Sequence, residues 1–141
     1  MTNSLNEYSY DDIFIGQKKS FIIKVTEPMV QTFGNFSGDL NPLHMDTIFA
    51  ESSSFKKRIV HGMLLSTFFS QLVGMRLPGK NALYFSQTLN FRSPCYIDDE
   101  IEVVGQVIEK SDSTKIITVT TSIFNKSKIC LIDGIAKIIV R

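Results

Sequence analysis

The chain has 141 residues, 43% hydrophobic and 21% charged, a size and balance that suit one globular domain around one core. Its 15 Lys and Arg against 14 Asp and Glu leave a net charge of +1, so neither a basic surplus for nucleic acid nor an acidic arm is present. The longest apolar stretch, GMLLSTFFSQLVGM, is interrupted by Ser66, Ser70 and Gln71 and is too short and polar to span a bilayer, and MTNSLNEYSYDD has no basic patch leading into an apolar run.

In chain order, residues 17–25 (QKKSFIIKV) predict a first strand. Thr26 is placed to cap a short helix, EPMVQTFGNFS, with its proline in the first turn and Gly38 as a left-handed stop. Residues 38–45 read as irregular backbone, and Asn41 is biased to extended geometry by Pro42. Asp46 can cap a second helix, TIFAES. The next element starts near His61 or Gly62. Apolar residues at 64, 65, 68, 69, 72 and 73 follow the helical period, and Met63 and Met75 add to them, so this helix is expected to be largely buried. Gly62, Ser66, Ser70 and Gly74 form a small-residue row that would let a backbone, a sheet or a ligand come close. LPGK ends the helix.

The second half is strand-like. Segments 82–94, 100–110, 114–125 and 128–140 are rich in β-branched and aromatic residues and are separated by CYIDD, SDS and KS turns. Their length implies strong curvature, with Gly105 and Gly134 as bulge or bend sites. The pattern is α+β: a curved antiparallel sheet wrapped around a long central helix, which is the hot dog fold. No repeat or linker divides the chain, so one domain covers residues 1–141, with residues 1–10 expected to be poorly ordered. Cys95 and Cys130 sit in apolar contexts outside any CxxC and read as reduced packing residues of a cytoplasmic protein. His44 and His61 are far apart in sequence and lack a cysteine cluster, so no metal is expected.

Two stretches carry chemistry. SGDLNPLHMD, residues 37–46, sets Asp39, Asn41 and His44 around a proline. A carboxylate and an imidazole on one loop can hold a water and move its protons near neutral pH. The same residues also suit an Asx turn, a helix stop and a core histidine. RIVHGML, residues 58–64, starts a helix at which the Gly62 N–H, unpaired and at the positive dipole end, could polarise a carbonyl oxygen. A glycine for tight packing explains that position as well. His61 reads as structural, bonding the loop. Ser70 would bond its own backbone unless it faced the loop, and Lys56, Lys57 and Arg58 are by default a solvated run that could also meet a phosphorylated ligand.

Taken together, these motifs resemble the MaoC-like, (R)-specific enoyl-CoA hydratase family. Its signature is an Asp-x-Asn-Pro-x-His loop followed, after a short helix, by Val-His-Gly at the start of the central helix. YFSQTLNFRSPCYIDDEIEV is similar to the family strand that follows, and the resemblance spans roughly residues 10–141. It implies Asp39 and His44 as the catalytic pair, Asn41 holding the water or the loop, Gly62 as the oxyanion N–H and Ser70 as a helix serine near the dyad. It implies syn addition of water across a trans-2-enoyl thioester to give a (3R)-hydroxyacyl thioester. No cofactor is expected beyond the coenzyme A or acyl carrier of the substrate. The implied partner is a second copy joined sheet edge to sheet edge, as a homodimer or a dimer of dimers, with no nucleic acid or membrane partner. Three alternatives remain open: a dehydratase acting on a carrier-bound biosynthetic intermediate, a hot dog thioesterase, and a non-catalytic acyl-binding module. Thioesterases of this fold typically place their carboxylate on the central helix, and no Asp or Glu lies between Gly62 and Leu77.

Overall fold

The computed structural model describes residues 4–141; residues 1–3 lie outside that range. Six antiparallel strands form one sheet: β1 (Lys18–Lys24), β2 (Ala82–Gln87), β3 (Asn90–Phe91), β4 (Glu100–Lys110), β5 (Ile116–Asn125) and β6 (Cys130–Val140). The order is β1-β4-β5-β6-β2, and β3 also pairs with β6. The alternation read from β4 is real: Ile101, Val103, Gly105 and Val107 face the core while Glu102, Gln106 and Ile108 do not. Gly105 and Gly134 are sites of close approach rather than bulges. A Cβ on Gly105 would lie 2.8 Å from Leu72, and one on Gly134 would lie 1.8 Å from the Thr88 carbonyl oxygen. The bulges fall instead at Val107/Glu109, Tyr84/Ser86 and Ile123/Phe124.

Helix α1 (Glu27–Ser37) begins and ends as its sequence dictates. The Thr26 hydroxyl accepts from the Met29 N–H at 3.4 Å, and Gly38 closes the helix at φ 80°. The stretch expected to be irregular contains a one-turn helix, α2 (Pro42–Met45), because Asn41 caps it and Pro42 sits where its missing N–H costs nothing. Asp46 caps α3 (Thr47–Ser52) through the Phe49 N–H at 3.1 Å.

The central helical path is segmented into α4 (Gly62–Ser66), α5 (Phe68–Gln71) and a π turn (Leu72–Arg76). Thr67 keeps helical dihedrals, but its hydroxyl bonds back to the Leu64 carbonyl, a contact that disturbs a helix locally. Leu64, Leu65, Phe69, Leu72 and Val73 pack inward. The expectation of a largely buried helix is corrected, since Met63, Thr67 and Ser70 are exposed. Two apolar clusters form the core. One joins Leu65, Phe69 and Leu72 to Val103, Ile123 and Ile132; the other joins Val73 and Leu77 to Val107, Val119 and Ile138.

Of the span 1–10 expected to be poorly ordered, residues 1–3 lie outside the described residues, and residues 6–10 make contacts with the fold. The Asn6 N–H donates to the Met75 carbonyl at 2.8 Å, the Tyr8 N–H to Pro78 at 3.2 Å, and Tyr10 is buried against the second cluster. Cys95 is buried and Cys130 half-buried, and both are free. Burial pushes the Cys95 thiol up to about 12, as suits a packing residue.

Gly134→Ala is expected to force β6 from the Thr88 backbone, at about 2 kcal/mol or more, and to lower Tm by several degrees. Gly74→Ala, whose added Cβ would meet nothing within 4 Å, should leave Tm nearly unchanged. Thermal unfolding followed by circular dichroism separates the two.

Candidate active site

The loop between α1 and α2 is built by its own side chains. The Asp39 N–H donates to the Ser37 hydroxyl at 3.1 Å, the Asn41 N–H to Asp39 Oδ1 at 3.2 Å, and the Leu43 N–H to Asn41 Oδ1 at 3.0 Å. The Asx turn therefore exists, and Asn41 holds the loop. These short-range bonds engage one oxygen of the Asp39 carboxylate and leave its other oxygen without a partner among them.

Longer-range bonds set the two histidines. His44 Nδ1 lies 2.8 Å from the Ile59 carbonyl and His61 Nε2 lies 2.9 Å from the Asp39 carbonyl. A carbonyl only accepts, so Nδ1–H of His44 and Nε2–H of His61 are the donors. His44 thus keeps its Nε2 lone pair free. The two rings stack with centroids 4.1 Å apart and planes 30° apart, and Phe33 packs on His61 at 4.9 Å. Arg58 secures the same corner: its Nε donates to the His44 carbonyl at 2.6 Å and its Nη1 to both Glu27 oxygens at 2.8 Å.

Asp39, His44 and His61 each present a polar side-chain atom within 4.8 Å of the others. Distance in sequence was therefore no argument against a metal, because folding brings the histidines together. Each histidine gives one ring nitrogen to a backbone carbonyl, which leaves His44 Nε2 and His61 Nδ1.

His44 and Gly62 open on one cavity of about 310 Å³, which is also lined by Leu65, Phe91, Cys95 and Ile132. Asp39 stands beside it on the loop. Gly62 is the first residue of α4, and its N–H has no acceptor within the helix. The packing reason for glycine holds too, since a Cβ there would lie 2.5 Å from the Phe91 ring. Ser70 is exposed, two turns from Gly62 and about 12 Å along the helical path. No side-chain hydrogen bond joins it to Asp39, Asn41 or His44 among the described residues. Of the aromatic and aliphatic residues around the helix, Leu65 lines the cavity. Phe33 and Phe68 border a separate apolar groove with Leu64 and Met29, and Phe69 is core. Arg58 opens the RIVHGML stretch and Phe91 lies in the family-like strand, but neither acquires a role at the site from the sequence. Only pairing of β3 with β6 and the reach of Arg58 back to α2 put them at the site.

Residues 14–128 match the family described as MaoC like domain. The chain belongs to the MaoC-like family. An (R)-specific enoyl-CoA hydratase of Aeromonas caviae is 36% identical over 126 residues, 89% of this chain and 94% of that one. A mitochondrial 3-hydroxyacyl-[acyl-carrier-protein] dehydratase of Arabidopsis thaliana is 39% identical over 108 residues, 74% of this chain and 64% of that one. Among solved structures, an unliganded R-hydratase of Pseudomonas aeruginosa superposes with a TM-score of 0.92 at 33% identity, covering 96% of this chain and 87% of that chain. The hot dog fold expected of this MaoC-like chain is the fold observed.

Burial holds the His61 pKa below its usual value, opposed by the bond to the Asp39 carbonyl and its charge and reinforced by His44 and Arg58. Between that lowered pKa and the unfolded value of about 6.5, the unfolded chain binds more protons than the folded one, so this contribution to stability is complete above pH 6.5 and is lost as pH falls below it. Tm should therefore drop as pH falls from 7 toward 5, and drop less in His61→Gln. Melting curves at matched ionic strength measure both.

Proposed function

We propose that this chain adds water reversibly and with syn stereochemistry to trans-2-enoyl thioesters, giving (3R)-hydroxyacyl thioesters. The coarser reading stands on the family and its relatives: the chain is a MaoC-type hydratase or dehydratase, an enzyme of the hydro-lyase class. The observation that carries the finer one is that His44, whose Nε2 is left free, and Gly62, the first residue of α4, line a single, largely apolar cavity, with the Asp39 carboxylate near His44.

The thioester carbonyl accepts from the Gly62 N–H, where the helix start favours the negative charge that grows on oxygen as water attacks. Water sits between His44 Nε2 and the Asp39 carboxylate. Its oxygen bonds to C3 while the dyad takes one of its protons; the C2–C3 π pair shifts toward the carbonyl oxygen, and C2 then takes a proton from the dyad on the same face. One molecule of water is added and the dyad returns to its starting state. Asn41 holds the loop that carries the acid. Ser70 has no role in these steps that its position in one chain supports.

A dehydratase acting on a carrier-bound substrate uses the same steps in reverse, and the plant relative's name keeps that reading in play. Thioester hydrolysis is the weaker reading, because no carboxylate stands on the central helix.

We further propose a homodimer joined through β2. This strand ends the sheet, yet Leu83 (51%), Tyr84 (37%) and Phe85 (62%) are exposed on it. The opposite edge, β1, carries Lys18, Lys19 and Lys24, which discourage pairing. No helix among the described residues is long and apolar enough to cross a membrane.

Asp39→Asn and His44→Ala should fold like the parent and lose about 10²–10⁴-fold in kcat, read from the enoyl-thioester absorbance with crotonyl-CoA. Near-parental turnover by either would refute the dyad. Phe85→Glu should shift sedimentation from dimer toward monomer. An unchanged coefficient would remove β2 from the interface.

A further inference from the structure

We propose that His61 is a positioning residue of this site, a neutral imidazole that pins the Asp39 backbone and supports the His44 ring so that the dyad stays set against the start of the central helix. The inference rests on the hydratase reading for its kinetic part alone.

Three contacts converge on this side chain, which is 2% exposed. Its Nε2–H donates to the Asp39 carbonyl at 2.9 Å, a bond between residues 22 apart in sequence. Its ring stacks on His44 at 4.1 Å, and Phe33 of α1 closes the other side at 4.9 Å. The residue thus touches both members of the dyad and the helix that precedes their loop, while itself standing immediately before Gly62. The loop's own bonds, Asp39 to Ser37 and Asn41 to Asp39, are local and exposed. They shape the turn, but they do not tie it to the rest of the protein. The His61 bond, the bonds of His44 to Ile59 and Arg58, and the Ile59 N–H donating to the Leu43 carbonyl at 3.3 Å do so, and of these the His61 bond is the one that holds Asp39 itself.

The surroundings favour the neutral imidazole. Its buried Nδ1 has no hydrogen-bond partner, so a proton there would have no acceptor. The titratable and charged groups that act on it are Asp39, His44 and Arg58, and two of these three are basic. Burial and its basic neighbours hold its pKa low, in agreement with that geometry. A cation at this place would also lie against an imidazole that has to accept a proton during turnover, and the pair could not readily carry two charges.

The test compares His61→Gln, whose Nε2 can occupy the donor position, with His61→Asn, whose shorter amide cannot reach the Asp39 carbonyl, and with His61→Leu. Crotonyl-CoA hydration and hydrogen exchange of residues 38–46 are measured on each. His61→Gln should stay within a few-fold of the parent in both. His61→Asn should lose about 10–100-fold in kcat with KM little changed, because misplacing a catalytic group by about an ångström costs that much. Exchange across the loop should quicken by about tenfold, as local opening becomes easier. His61→Leu should behave as His61→Asn if it folds; if it does not, the Gln and Asn pair decides. Equal behaviour of Gln and Asn in both measurements overturns the proposal. Should the parent hydrate no enoyl thioester, the hydratase reading fails by itself, and the exchange comparison still decides whether His61 positions the loop.

Discussion

A backbone carbonyl in a sharp loop ends on a buried imidazole, and the rest of the site depends on that bond. The Asp39 carbonyl accepts from His61, which is buried at the point where the sheet, α1 and the central helical path meet. The bond gives the buried imidazole N–H its acceptor. Meeting that need fixes the carboxylate-bearing residue relative to Gly62, the residue next to His61. A constraint of backbone satisfaction thus becomes a constraint on where the Asp39 loop stands relative to Gly62.

The same logic extends through the corner. His44 is held twice, by its side chain on Ile59 and by its own carbonyl on Arg58, and Arg58 in turn reaches Glu27 at the start of α1. The elements that carry the chemistry are therefore joined mainly by side-chain bonds to main-chain carbonyls. Such bonds fix tautomers as well as positions, since a carbonyl can only accept. They leave Nε2 as the ring nitrogen of His44 without a carbonyl partner. Apolar packing sets the floor beneath this frame: Leu65, Ile132 and Phe91 give the cavity an apolar part of its lining.

Local chemistry was legible wherever the signal lies within a few residues. Thr26 and Gly38 bound α1 as read, Asp46 caps α3, and β4 covers the expected residues, because caps, stops and strand alternation are short-range effects. The one-turn helix at Pro42 departs from the irregular backbone expected there, because Asn41 and Pro42 form a capping pair as well as a bias to extended backbone. The burial of the central helix was overstated because periodicity counts apolar residues without saying what covers them: Met63 faces outward in the single chain.

By itself, the sequence determined the α+β pattern, the caps of α1 and α3, the span of β4, the Asp-x-Asn-Pro-x-His loop and the Val-His-Gly start, and through these the MaoC-like family. The tertiary structure alone decided that His61 lies under His44, that Phe91 from β3 sits over Gly62, that Arg58 reaches back to α2, and that Ser70 stays apart. The division has a physical cause. Capping and alternation are written in neighbouring residues, whereas stacking, cavity walls and carbonyl partners depend on the distance between elements, and that distance exists only once the sheet has curved around the helix.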